Sequence, residues 1–255
     1  GGRPVGLVAA TLIGLSVAHV QQAHFYTVDV PLVCFVTATL LFTVRFAEDG
    51  RPRDLWLAGG LAGLAVGTKA SAILLVIPLV LGIVWRRGGP RHLGSAAAVA
   101  LGAFAVSNPY AVLHPGVFLA NLGRQGAVMR GTLDVPYTIQ YQATTPYVYP
   151  ILQQLRWGLG WAVGGCALLG FAHGAFRALT AERPRAGDWV LLGWVVPTFA
   201  FVGALYAKFP RYVLPLLPAL AIYASAAIAA LARRNALVGT TVAVLLLTTS
   251  LLRCT

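Results

Sequence analysis

Leu57-Ala58-Gly59-Gly60-Leu61-Ala62-Gly63-Leu64-Ala65-Val66-Gly67-Thr68-Lys69-Ala70-Ser71 opens a run in which Lys69 is the only charged side chain between Asp54 and Arg86. A helix needs about 20 apolar residues, with a range of ~17–25, to cross the hydrocarbon core of a bilayer. The run is too long for one crossing, so it predicts two, at about 55–68 and 70–85. They meet at Gly67-Thr68-Lys69, either as a tight hairpin or as one long broken helix. Gly59 and Gly63 form a pair of small residues one helical turn apart, which permits close helix contact inside a membrane.

Working outward, seven further apolar runs have similar character: about 4–21, 30–46, 92–107, 157–178, 188–206, 212–231 and 236–252. The expected fold is an all-α polytopic transmembrane helical bundle of about nine spans, read as one transmembrane domain over 1–255. Composition agrees. Of the 255 residues, 58% are hydrophobic and 10% charged, whereas a soluble domain carries about 25% charged residues. The net charge of +12 does not signal nucleic-acid binding, because the basic residues lie in short tufts between apolar runs, as in cytoplasmic loops.

Those tufts orient the chain. With nine spans, one side takes Arg3, Arg45, Arg51, Arg53, Arg86, Arg87, Arg91, Arg177, Arg183, Arg185, Arg233 and Arg234, twelve of the nineteen cations. The other side takes Lys69, Arg124, Arg130, Arg156, Lys208, Arg211 and Arg253. The positive-inside rule makes the first side cytoplasmic, with the N-terminus in and the C-terminus out. Fusing the spans on either side of Lys69 would scramble this division, which favours the hairpin. Cys34, Cys166 and Cys254 have no metal-ligand spacing. No initiator Met or signal peptide opens the chain, and the apolar run at its end stops abruptly. Both ends therefore read as cut, as in an internal piece of a longer protein.

The unusual residues gather on the outer side. His24-Phe25-Tyr26-Thr27-Val28-Asp29-Val30-Pro31 places Asp29 at the mouth of a span. An ionisable residue there is a functional candidate, and the plainer reading is a helix cap. A carboxylate facing outward could bind a divalent metal, orient an acceptor or act as a base. His24 could assist it or simply sit at the interface. Lys69 needs an anion, whether a lipid headgroup or a substrate phosphate. Tyr206-Ala207-Lys208-Phe209-Pro210-Arg211-Tyr212-Val213-Leu214-Pro215 precedes another span. Lys208 and Arg211 have the charge and fork geometry to hold a phosphate, and the prolines predict a bent helix end lining a cavity. A plain aromatic belt with snorkelling cations is the alternative. The longest connection, about 108–156, carries Asn108, Tyr110, His114 and Arg124. A connection of that length without structure of its own is uncommon unless functional, and 118–129 could form a short interfacial helix. No nucleotide-binding signature is present.

His24 to Leu32, Leu57 to Lys69 and Arg211 to Pro218, in this order and spacing, resemble the lipid-carrier-dependent glycosyltransferases of the GT-C fold, such as protein O-mannosyltransferases and aminoarabinose transferases of lipid A. The resemblance covers most of the chain. It implies a polyprenyl-phosphate-linked sugar donor; a lipid, glycan or protein acceptor; surrounding membrane lipids; and an active site on the outer face of a bacterial inner membrane. It implies that Asp29 matches a second acidic position near the active centre, and that Lys69 faces the donor phosphate. Tyr212, with Lys208 or Arg211, would lie beside that phosphate, and Tyr206, Asn108, Tyr110, His114 and Arg124 would complete the substrate surface. No cofactor is certain, though a divalent cation at Asp29 remains open. The family's principal acidic motif lies in an earlier outer loop and is not in this sequence. The general base is therefore expected to be missing, and this segment alone inactive. A secondary transporter or lipid flippase is the alternative reading, disfavoured because the spans carry almost no charge in their middles.

Overall fold

The computed structural model describes residues 2–254, with the Cys254 side chain outside the described part. The described chain is 84% helical and has no strand, as the composition requires. Backbone N–H and C=O groups have no water to bond in hydrocarbon, and a helix satisfies them internally.

Helices occupy all nine expected positions. A bent pair comes first, α1 (Arg3–Gly14) and α2 (Val17–His24), at 54° to each other. The bend falls at Gly14 and Ser16, where a helix is easily broken. Next come α3 (Asp29–Asp49), α4 (Pro52–Thr68), a 3-10 segment (Ala70–Leu75) running into α5 (Val76–Trp85), and α6 (Pro90–Ser107). The long connection holds α7 (Pro109–Leu113), α8 (Pro115–Arg130), a 3-10 turn (Pro136–Tyr141) and α9 (Val148–Gln153). The chain closes with α10 (Trp161–Thr180), α11 (Ala186–Ala204), a 3-10 segment (Pro210–Leu216) leading into α12 (Leu217–Arg234), and α13 (Ala236–Cys254).

Five of these helices are long and apolar enough to cross a membrane, or six if the bent pair counts as one. The helix Ala70–Trp85 is apolar but shorter. The Gly- and Ala-rich α4 and α6 fall outside that set: α4 has 17 residues, and both begin with polar first turns, Pro52-Arg53-Asp54 and Pro90-Arg91-His92. Large apolar side chains such as Leu101, Val106, Leu169, Leu179 and Leu237 point outward. A soluble monomer avoids so much exposed apolar surface; hydrocarbon accepts it.

The hairpin reading of Lys69 holds. Ile83, near the end of α5, clusters with Leu55 in the first turn of α4, together with Phe46 and Ala96. The chain therefore reverses at Lys69, whose extended backbone (φ −157°, ψ 123°) ends α4. α6 then runs parallel to α4 at very short range. A Cβ built at Gly59 would lie 2.6 Å from the carbonyl oxygen of Ala96, and one at Gly63 would overlap the carbonyl of Ala100.

The alternation of helices gives the bundle two unlike ends. One end gathers the Phe46–Leu55–Ile83–Ala96 cluster and its flanking arginines. It also holds Arg177, Arg185 and Arg233, which line one cavity with Gly2; Gly187, at the start of α11, approaches Val44. The opposite end holds Asp29, Lys69 and Arg211. The prolines of the last motif act as expected. Instead of a continuous α-helix, Pro210–Leu216 forms a 3-10 segment, and the carbonyl of Pro215 accepts a hydrogen bond from Trp194 Nε1 at 3.1 Å.

Candidate anion site at the helix ends

Asp29 is the first residue of α3, with its side chain 2% exposed. Its carboxylate makes no capping hydrogen bond. Instead Lys69 Nζ donates to Oδ1 at 2.7 Å, across forty residues of sequence. Arg211 Nε lies 3.9 Å from Oδ2, too far for a hydrogen bond but well within Coulomb range. The three motifs that stood out in the sequence thus meet at one point. Tyr212 completes it. Its ring lies under Lys69 Nζ at 4.4 Å to the centroid, a cation–π contact, and its hydroxyl donates to Met129 Sδ at 3.0 Å.

One carboxylate facing two cations leaves a net charge of +1. Lys69 and Arg211 keep 25% and 44% of their side chains exposed, so both retain open N–H donors. Asp29 accepts from Lys69 through Oδ1 and turns Oδ2 toward Arg211 without a hydrogen bond. The carboxylate thus holds two cations side by side with donors to spare, an arrangement suited to an anion. Among the described residues no three His, Cys, Asp or Glu side chains come together, and both carboxylate oxygens already face positive charge.

Aromatic rings wall the site. Phe209 packs edge-on against Tyr212 and Tyr141, and Tyr137 leans on Phe209. Burial, with Tyr149 and Tyr212 alongside, pushes the Tyr141 phenol up to about 12, so it stays a neutral hydroxyl. Gln154 Nε2 donates to the carbonyl of Pro210 at 2.8 Å and fixes the start of the 3-10 segment that carries Arg211.

The other candidates lie elsewhere. Lys208 is 4% exposed and points away from Asp29; its ammonium donates to Thr144 Oγ1 at 3.0 Å and to the carbonyl of Tyr206 at 3.2 Å. Burial lowers its pKa from the usual lysine value. His24 sits at the end of α2 against Phe25, in a recess with Trp157 and Arg253. Asn108 Nδ2 donates to Ser107 Oγ, the Tyr110 and His114 rings meet at a tilt of 45° with centroids 4.9 Å apart, and Arg124 is exposed on α8. None of these side chains touches the Asp29 cluster. Two participants were missed in the sequence, Met129 and Thr144. Gly131, at φ +74°, ends α8 and brings the carbonyl of Met129 against the backbone N–H groups of Tyr206 and Ala207. The Met-Arg-Gly helix end was the available signal.

Fold and composition together define an integral membrane protein, with a cluster of net positive charge at one end of its helical bundle as the candidate site. Residues 2–112 match the model of the family described as dolichyl-phosphate-mannose-protein mannosyltransferase. The match supports the resemblance to membrane glycosyltransferases of the GT-C type that use polyprenyl-phosphate sugars. The matched segment contains Asp29 and Lys69; Arg211 and Tyr212 lie beyond it. No curated protein and no solved structure matches the chain.

Proposed function

We propose that this protein transfers a sugar from a polyprenyl-phosphate donor to a lipid, glycan or protein acceptor on the non-cytoplasmic face of a bacterial plasma membrane, with inversion at the anomeric carbon. The observation that carries the reading is the meeting of Asp29, Lys69 and Arg211, from three distant segments, in a cluster of net positive charge. The acceptor oxygen or nitrogen bonds to the anomeric carbon while the bond from that carbon to the phosphate oxygen breaks. The phosphate leaves with the electron pair. Lys69 and Arg211 offset the charge that develops on it, which is where fixed electrostatics lower a barrier most. Asp29 keeps the two cations aimed and compensated. The acceptor's proton goes to a base outside this cluster, since both Asp29 oxygens face cations. The aromatic wall of Tyr137, Phe209 and Tyr212 supplies apolar faces beside the reacting centre.

The excess of arginine at the opposite end supports placing the site outside. The test is transfer in proteoliposomes by the full-length protein, with a synthetic polyprenyl-phosphate sugar and a bacterial lipid extract as acceptor. A glycosylated product whose anomeric configuration by NMR is opposite to the donor's is expected. Retained configuration overturns the inversion. Proton- or sodium-coupled uptake without any transfer would favour the transporter.

A further inference from the structure

Lys208 is left unexplained by the Asp29 cluster. It is 4% exposed, and among the described residues no carboxylate lies within ion-pair distance of it or of Arg130. A buried cation without a counter-ion is costly, and two neutral hydrogen bonds, to Thr144 and to the Tyr206 carbonyl, leave one of its three N–H groups free. Lys208, Arg130, Thr144 and Tyr206 line one open cavity of about 500 Å³ with no acidic residue in its wall. The backbone holds the cavity in an unfavourable shape: Ala143, beside Thr144, lies at φ +58°, a left-handed conformation that a residue with a Cβ seldom adopts and that tends to persist where function requires it.

We propose that this cavity is a second phosphate-binding site, distinct from the Asp29 cluster, in which Lys208 and Arg130 bind the phosphate of an anionic phosphodiester or a free phosphate. Tyr141 and Phe209 stand between the two sites: Tyr141 lines the cavity, and Phe209 carries the Arg211 guanidinium over its face at 5.1 Å. Lys208 supplies a desolvated point charge with a free donor. Arg130, at the exposed end of α8, supplies the fork that closes over the ligand. The inference does not depend on sugar transfer.

Native mass spectrometry of the purified full-length protein tests it, with short-chain phosphatidylglycerol and inorganic phosphate as separate probes. A hydrogen bond to a charged group is worth ~1.5–3 kcal/mol, so removing either cation is expected to weaken binding by about tenfold or more. Lys208→Met and Arg130→Gln should both show this loss, while Arg124→Gln, at an exposed position on α8 outside both clusters, retains the adduct. Arg130 is exposed, so its variant keeps the fold even if Lys208→Met does not. Binding of phosphatidylglycerol alone assigns the site to a lipid headgroup; binding of inorganic phosphate as well assigns it to the phosphate group itself. Wild-type affinity in Arg130→Gln, an equal loss in Arg124→Gln, or no adduct with either probe overturns the proposal.

Discussion

Lys69→Ala should reduce the rate of sugar transfer by about 10²–10³-fold, the cost of removing one preorganised group that stabilises transition-state charge. The size follows from what Lys69 touches. Its ammonium is fixed by the Asp29 carboxylate at 2.7 Å and by the Tyr212 ring at 4.4 Å, so it reorganises little when charge appears before it. The effect should fall mainly on kcat, because the phosphate carries more negative charge when it leaves than when it is esterified. Lys69→Arg should recover part of the rate, since the charge returns but the point geometry does not. Asp29→Asn should behave differently. It leaves two cations uncompensated beside a nearly buried position, and breaking a buried pair on one side costs about 3–5 kcal/mol, less here because Lys69 reaches water. Thermal stability should therefore drop in Asp29→Asn and be partly restored in Asp29→Asn with Lys69→Met. That coupling is what a double-mutant cycle reads. If the single variants add, or if transfer survives Lys69→Ala unchanged, the cluster is not the phosphate site.

How much of this could be read from residues alone differs from level to level. The helices were legible because crossing a bilayer leaves few alternatives: long apolar runs must be helical, and their positions agree with those of the structure. The turn at Lys69 was legible because the arginine tufts only alternate if the chain reverses there. Pairing was not. Nothing in the local sequence says that Lys69 reaches Asp29 while Lys208 turns away, although both are outer-side lysines near aromatic residues. The choice is made by the 3-10 segment Pro210–Leu216, which presents Arg211 and Tyr212 to the Asp29–Lys69 pair, while Lys208, before that segment, bonds Thr144 and the Tyr206 carbonyl. Asp29 itself read as a helix cap or a functional group. It is the first residue of its helix, caps nothing, and gives its oxygens to two partners. Met129 and Thr144 were invisible because a thioether and a threonine in a loop carry no pattern until Gly131 and Ala143 turn the backbone toward them.

Gly63→Leu should destabilise the protein on the order of 3 kcal/mol, near the upper end of what overpacking costs, and it should do so without touching any charged group. α4 and α6 run parallel, with Gly59 facing Ala96 and Gly63 facing Ala100, backbone against backbone. In hydrocarbon no hydrophobic effect draws helices together, so close packing of small surfaces has to do it. A Cβ at Gly63 meets the carbonyl of Ala100, which belongs to a helix and cannot move alone. Relief requires the two helices to separate, and separation carries α4 away from α3, with Lys69 at its end. Even Gly63→Ala should lower the midpoint of thermal unfolding in detergent, and Gly63→Leu should lower it further. Gly60, on another face of the same helix, has only a side-chain methyl of Val99 at 3.5 Å. Gly60→Ala should therefore be close to neutral, or slightly stabilising through better helix propensity. The contrast between two glycines three residues apart isolates packing from propensity. Equal loss at both positions would mean that glycine content, rather than the α4–α6 contact, sets stability. The same contrast should appear in activity, because a displaced α4 moves Lys69 from Asp29, and a shift of about 1 Å at a positioned group can cost as much as 10²-fold in rate.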